Sequence, residues 1–429
     1  MSVNHGPPRF TAFSLRQLDE LVRRAGLSAQ ERLAVRAVAE VLPFRVNNYV
    51  VDELIDWNRA PDDPIYRLVV PQPDMLPPDD VDELARLIDA GAHPNEIKHV
   101  VTKIRASLNP HPGGQLELNV PSDDVDEIPG VQHKYPETVL LFPRQGQTCH
   151  AFCTYCFRWP QFVGDVGIKF ATGEVSRLVG HIRRNPHVTS VLITGGDPMI
   201  MSSAVLARYI EPLLGVEQLE SIRIGTKALA YWPHRWVSDP DADTTLRLFE
   251  SVAAAGKHLA IMGHFSHPRE LEPKTVATAV RRIQATGAVI RTQAPLIRTI
   301  NDDPLVWSRM WRTQHTMGMV PYYMFVERDT GPQAYFEVPL ARAYEIFSDA
   351  YRCVSGICRT VRGPSMSTTV GKLAIDGVVE INGQRVFVLH LIQARDPALV
   401  NRPFFARYDE HAAWVTHLAP VHGLPWLLG

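Results

Sequence analysis

From about residue 135 to residue 326 the chain alternates short apolar runs with amphipathic segments of helical period, and few folds accommodate that rhythm. TVLLFP is the first run, and SVLIT, SIRIG, HLAIMG, AVIRTQ and VPYYMFV follow it. Helices are predicted between them at 174–185, 203–214, 243–255, 273–286 and 304–317. The first carries Val175, Leu178, Val179 and Ile182 at i, i+3, i+4 and i+7. Strands alternating with helices argue for an α/β fold. Continuous apolar strands suit a parallel sheet covered on both faces. No Rossmann glycine fingerprint accompanies them, which favours a partial (β/α)6 barrel over a doubly wound sheet. Polar residues sit just past each predicted strand: the cysteine segment 149–156, Gly195-Gly196-Asp197, Thr226-Lys227, His264 with His267, Asn301-Asp302-Asp303, and Glu327. In barrels of this kind the loops after the strands build the site. These groups are therefore expected to converge on one mouth.

The flanks read differently. Residues 1–133 form a helical region, with Leu15, Leu18, Leu21 and Val22 on one face of an early helix. Pro-rich breaks follow at PDDP, PQPDMLPPDD and NPHPGG, and the acidic LELNVPSDDVDEIPG reads as a connector. The barrel is expected over 134–345 and a C-terminal segment over 346–429. That segment holds a small-residue stretch, GPSMSTTVGK, taken as a loop, and a hairpin, VVEINGQRVFVL, turning on Asn382-Gly383. Its apolar end, WVTHLAPVHGLPWLLG, is expected to pack on the core or on a second subunit.

Charge narrows the partners. Lys plus Arg number 44 against 46 Asp plus Glu, a net charge of -2, which leaves no basic footprint for nucleic acid. No apolar run approaches the roughly 20 residues that span a bilayer. The start, MSVNHGPPRF, lacks the basic and apolar regions of a signal peptide. The expectation is a cytoplasmic, homo-oligomeric enzyme acting on a small molecule, with no nucleic acid or membrane partner.

Three of the five cysteines fall within eight residues, Cys149-His-Ala-Phe-Cys153-Thr-Tyr-Cys156. A disulfide framework would spread an even number along the chain. Three thiolates at this spacing can hold three irons of a [4Fe–4S] cluster and leave the fourth open. S-adenosylmethionine (SAM) can chelate an open iron, and an electron from the cluster then releases a 5′-deoxyadenosyl radical that abstracts hydrogen. The cofactor carries such chemistry, and the protein supplies position and shielding. A zinc site is the alternative, with His150 as a makeshift fourth ligand, although zinc favours paired spacings. Tyr155 is a candidate adenine contact. The Gly195-Gly196 pair lets backbone approach a ligand closely, and the Asp197 carboxylate could receive the SAM ammonium. Cys353 and Cys358 are expected as small buried hydrophobes.

Taken together, FRVNNYVVDELIDW, DPIYRLVVPQ, HKYPETVLLF, CTYCFR, ITGGDPMIMS, IRIGTKA, HFSHPRE, TQAPLIRTINDD and VPYYMF resemble, in order, the successive motifs of the lysine 2,3-aminomutase family of radical SAM enzymes. The resemblance implies a partial (β/α) barrel, a [4Fe–4S] cluster on Cys149, Cys153 and Cys156, SAM, and pyridoxal 5′-phosphate (PLP), with an external electron donor. It implies an amino acid substrate whose α-amino group moves to the β-carbon. Arg158 matches the arginine that holds the substrate carboxylate, a task suited to a bidentate guanidinium. Asp302 matches an acidic residue that binds lysine's distal ammonium; a helix N-cap is its other reading. Lys134 and Tyr135 match groups near the PLP phosphate. Arg223, His264 and Gln293 are further candidate cofactor contacts. Lys372 is the candidate PLP lysine, with a plain surface lysine as the alternative.

Two departures carry information. Thr138 stands where an arginine is expected. Arg362 stands where the family has an aspartate that grips lysine's ammonium, a reversal of charge that would repel lysine. The expected substrate is therefore an amino acid with an acidic or neutral distal group. Two further readings remain. One is a family member that has given up PLP for another hydrogen-abstraction reaction, and the other is a structural metal-binding protein.

Overall fold

In a computed structural model the described residues are 8–110, 119–123, 126–164 and 171–421. Parts of the NPHPGG break, the acidic connector and the apolar C-terminus lie outside them. A small antiparallel pair, β1 (Ala12–Ser14) and β2 (Arg45–Asn47), belongs to the N-terminal region. The other strands form one mixed sheet. They are β3 (Val131–Tyr135), β4 (Thr138–Leu141), β5 (Ser190–Ile193), β6 (Ser221–Thr226), β7 (His258–His264), β8 (Val289–Leu296), β9 (Val320–Val326), β10 (Arg362–Ser367), β11 (Gly371–Ile381), β12 (Gln384–Ala394) and β13 (Pro403–Arg407). They lie side by side in chain order.

Strands β4 to β9 are the expected six, mutually parallel and joined by helices within two residues of the predicted limits. β10 is also parallel to β9 and is reached through the helix Leu340–Arg352. The stretch expected as a loop before Lys372 is thus mostly strand, and Lys372 itself lies on β11. The C-terminal segment continues the sheet rather than leaving it, and the expected limit at 345 falls within the Leu340–Arg352 helix. The β11–β12 hairpin turns at Asn382 and Gly383, whose φ values of 52° and 75° suit an Asn-Gly pair.

The strands are not apolar on both faces. In β6, Ile222, Ile224 and Thr226 are buried while Arg223 and Gly225 are partly exposed. In β8, Ile290, Thr292 and Ala294 alternate with Arg291 and Gln293. A period of two puts one set under the helices and the other on the opposite face. The sheet is rolled, for β12 touches β3 and Lys134 on β3 donates to Thr368 O, just after β10. The polar face therefore lines an interior, and the carboxyl ends of the parallel strands share one rim.

One hydrophobic core joins the N-terminal helices to the helix-covered face of the sheet. A second packs Met366, Leu373, Phe387, Leu389 and Trp414 beneath the hairpin. Asp63 ties the N-terminal region down: it caps the helix Pro64–Val69 through Tyr66 N at 2.9 Å and pairs with Arg269. Asp63 is fully buried, so breaking the pair strands a charge, at a cost of about 3–5 kcal/mol. Urea denaturation of Arg269→Met, which leaves the buried Asp63 carboxylate unpaired, is expected to read a loss of that order. Among the described residues no helix is long and apolar enough to cross a membrane.

Candidate functional site

The cysteine loop leaves the carboxyl end of β4 and is strapped from outside by the N-terminal region. Phe152 N donates to Arg45 O (2.8 Å), Thr154 N to Leu68 O (2.9 Å), and Thr154 Oγ1 to Arg67 O (2.7 Å). Asn47 Nδ2 reaches His150 O at 3.2 Å and Tyr231 O at 2.9 Å. Held this way, Cys149, Cys153 and Cys156 lie deep in the protein, each retaining some accessible surface. Burial raises all three thiols, Cys156 to about 12; Asp197 and the other two sulfurs raise Cys149 further, and Cys153 raises Cys156. Arg158 opposes this at Cys149 and Cys156, and Lys227 opposes it at Cys153.

Among the described residues no three His, Cys, Asp or Glu side chains form a ligand set for one metal ion. His150, the makeshift fourth ligand of the zinc alternative, belongs to no such set. His150 is buried with its ring edge-on to Phe10 at 5.6 Å, and burial lowers it to about 3. A four-iron cluster makes a different demand, because each thiolate meets its own iron. Three crowded thiols with cationic neighbours fit such a group.

Gly195-Gly196-Asp197 follows β5 and packs against the start of the cysteine loop. A Cβ on Gly196 would stand 2.5 Å from Thr148 O, and Gly195 has φ 151°. The close approach lets Asp197 N donate to Thr148 O at 2.7 Å. The Asp197 carboxylate accepts from Thr226 Oγ1 (2.7 Å), Lys227 N (2.9 Å) and Met199 N (2.9 Å). Burial raises it to about 6 against the pull of those donors. Asp197 thus joins the ends of β5 and β6. Tyr155 is buried, with its hydroxyl 2.9 Å from Ser266 Oγ past the end of β7. His264 and Gln293, opposite each other on β7 and β8, are hydrogen-bonded at 2.7 Å. Burial, then Lys227, lowers His264 to about 3, which keeps it neutral.

A second group of residues faces the interior from β3, β6, β9 and β11. Lys372 Nζ sits 4.1 Å above the Tyr323 ring and 5.3 Å from that of Phe325. Burial lowers it to about 7, and Arg223 and Arg362 add to the effect. Lys134 is also lowered to about 7, by burial and then by Arg395, Arg328 and Lys372. Tyr135 beside it is buried and raised to about 12. Arg223 Nη2 is 3.5 Å from Thr138 Oγ1, while its Nε is buried with no hydrogen-bond partner. So Thr138, in the place of an expected arginine, sits against another arginine. Converging cations around a half-desolvated lysine fit a phosphorylated aldehyde such as PLP, because the anion would offset their repulsion. Arg158 lies between the two groups, stacked 4.3 Å from the Phe142 ring and lowered by burial to about 10. Glu327, past β9, is raised by burial to about 8.

Other candidates fall elsewhere. Asp302 accepts from Thr299 N (3.1 Å) within its own turn, and Asp303 rather than Asp302 caps the next helix. Arg362 is exposed. Its Nη1 is 3.4 Å from Tyr322 Oη, and it lines a groove of about 660 Å³ with Tyr344, Phe347, Tyr351, Asp376 and His390. Only part of it faces the interior. Cys353 is exposed, contrary to expectation, and Cys358 is buried as expected. Sequence reasoning missed Glu270, Ser266, Tyr231, Arg328 and Arg395, which carry no diagnostic spacing.

No protein-family model matches the chain. It is 32% identical over 349 residues to a protein of Aquifex aeolicus named putative L-lysine 2,3-aminomutase, covering 81% of each chain. It is 24% identical to the L-lysine 2,3-aminomutase of Escherichia coli, covering 79% of this chain and 85% of that one. With the enzyme of that name from Fusobacterium nucleatum it shares 26% identity, and the match spans 52% of that relative's length. Among solved structures, a radical SAM methyltransferase from Sphaerobacter thermophilus aligns with a TM-score of 0.38 and 17% identity, over 54% of this chain and 68% of that one.

Proposed function

The chain belongs to the lysine 2,3-aminomutase family of radical SAM enzymes, and from that premise we propose that it is a PLP-dependent aminomutase for an amino acid other than lysine. On this reading the rolled sheet is a partial radical SAM barrel. Cys149, Cys153 and Cys156 would hold the [4Fe–4S] cluster, which, reduced by an external donor and with SAM bound, would supply hydrogen-abstracting radical chemistry. Bound PLP supplies a carbonyl for the migrating nitrogen.

Lys372 is the observation that carries the reading. Lowered to about 7 over the Tyr323 ring, it offers a substantial share of neutral amine near neutral pH, as covalent capture of an aldehyde requires. Lys134 and Arg223 supply charge for a phosphate. Tyr155 and the His264–Gln293 pair wall the space between β7, β8 and the cysteine loop, and shield it from water. Arg158, stacked on Phe142 between the cysteines and the cationic group, is placed to orient a substrate carboxylate.

Arg362 supports the choice of substrate. Its guanidinium and the Lys372 ammonium both lie over Tyr323, at 6.0 and 4.1 Å from the ring centre. A substrate held at Lys372 would meet that positive charge with its side chain, which disfavours lysine. The test supplies reconstituted enzyme with SAM, PLP and a panel of amino acids, and identifies β-amino products by mass spectrometry. An acidic or neutral amino acid is expected to react best. Arg362→Asp is expected to move the preference toward lysine by about tenfold or more in kcat/KM ratio. Lysine as the best substrate of the unaltered enzyme would reject this reading.

A further inference from the structure

Beside the cysteine loop lies a charged network that the reaction as described leaves unused. Lys227, the first residue past β6, places Nζ 2.8 Å from Glu270 Oε1 and 3.1 Å from Ser266 Oγ. Its ammonium also lies 4.5 Å from the Tyr231 ring centre. Glu270 is fully buried, and its other oxygen accepts from Ser266 N and His267 N. Tyr231 brings its hydroxyl to 3.9 Å from Cys153 Sγ. The backbone of Lys227 is pinned as well, since its N–H donates to Asp197. Both ends of the ion pair are therefore fixed.

The pair has a direction. The Lys227 ammonium lies against the Tyr231 ring, whose hydroxyl approaches Cys153 Sγ, while Glu270 turns its hydrogen bonds to Ser266 N and His267 N, so the positive end faces the sulfur. A buried pair costs desolvation that Coulomb attraction only partly returns. One oriented toward a thiolate cluster is in a position to act on the cluster's charge. Reduction adds an electron, and a fixed positive end nearby favours the reduced state.

We infer that Lys227 and Glu270 form an oriented ion pair that sets the reduction potential of the cluster held by Cys149, Cys153 and Cys156. The inference rests on the cluster reading above. Lys227 and Glu270 are positioning residues, with no contact to substrate proposed for either.

The pair gives opposite signs to its two halves, and a merely structural role does not. Lys227→Met leaves the Glu270 charge unbalanced and is expected to lower the cluster potential. Glu270→Gln leaves the Lys227 charge unbalanced and is expected to raise it. Lys227→Met/Glu270→Gln removes the oriented pair as a whole and is expected to fall below the unaltered value by less than Lys227→Met does, and Lys227→Arg to stay near it. The measurement is a spectroscopic redox titration of anaerobically reconstituted protein, with iron content determined on each variant. Shifts of the same sign in both single variants, or no shift with iron fully loaded, would overturn the inference. Should a single substitution prevent loading, the double variant and Lys227→Arg decide it: an unshifted or raised potential in the first, or a displaced one in the second, contradicts the pair. Failure of the unaltered protein to take up four irons per chain would instead contradict the cluster reading itself.

Discussion

Lys372→Ala protein is expected to take up iron and SAM normally, to lack the visible band of lysine-bound PLP, and to lose turnover by on the order of a thousandfold or more. In the unaltered protein, borohydride should abolish the same band. The size of the effect follows from the place of Lys372. It is the lysine on the interior face of β11, above Tyr323 and facing Arg223. Lys134 is also lowered to about 7, but it is committed to Thr368 O across the seam of the sheet and should not replace it. Retention of the band in Lys372→Ala would move the covalent site to another lysine.

The same lysine makes the apoprotein sensitive to pH. Its folded value is about 7, against an ordinary 10.5. Between those values the unfolded chain keeps a proton that the folded chain has lost. Stability gained from this group therefore rises as pH climbs through that window, and the burial penalty is fully present below it. Thermal unfolding of the apoprotein across pH 7 to 10, compared with Lys372→Met, should show a flatter dependence in the variant. Covalent capture of PLP by the unaltered protein should speed up through about pH 7 and then level.

Cys149→Ala, Cys153→Ala and Cys156→Ala are each expected to lose the four-iron cluster and all SAM cleavage while still binding PLP. With two thiolates left, the loop cannot hold three of the four irons. The scaffold should persist, because the loop is fixed by bonds from Arg45, Asn47, Arg67 and Leu68 that involve no sulfur. Iron and acid-labile sulfide analysis checks the first part, and the lysine-bound PLP band checks the second. Parallel loss of PLP would show that the loop folds only around its cluster.

The strand–helix rhythm made the central part of this fold legible, because apolar periodicity is set by burial under the helices. What it concealed was the second face of the sheet. Arg223, Arg291 and Gln293 interrupt their strands in period two and His264 closes β7, yet each run is apolar enough overall to read as buried on both sides. The stretch 363–372 reads as loop because Gly, Pro, Ser and Thr suggest turns, whereas its first half belongs to β10, parallel to β9, and its last two residues open β11. Lys372 was found through resemblance, and its strand position came only from the structure. The cysteines were legible from spacing alone. The groups that hold and charge their loop were not: Asn47 and Arg45 lie about a hundred residues upstream, and Glu270 sits far downstream in a short helical turn. Contacts of that range leave no local pattern.

The most direct test of the radical reading is 5′-deoxyadenosine formation by anaerobically reconstituted, reduced protein given SAM and PLP with each amino acid in turn. Release should depend on a particular acidic or neutral amino acid, and deuterium placed on that substrate's β-carbon should appear in the 5′-deoxyadenosine. A reduced four-iron protein that releases none with any amino acid, or releases it without taking up deuterium, would contradict it.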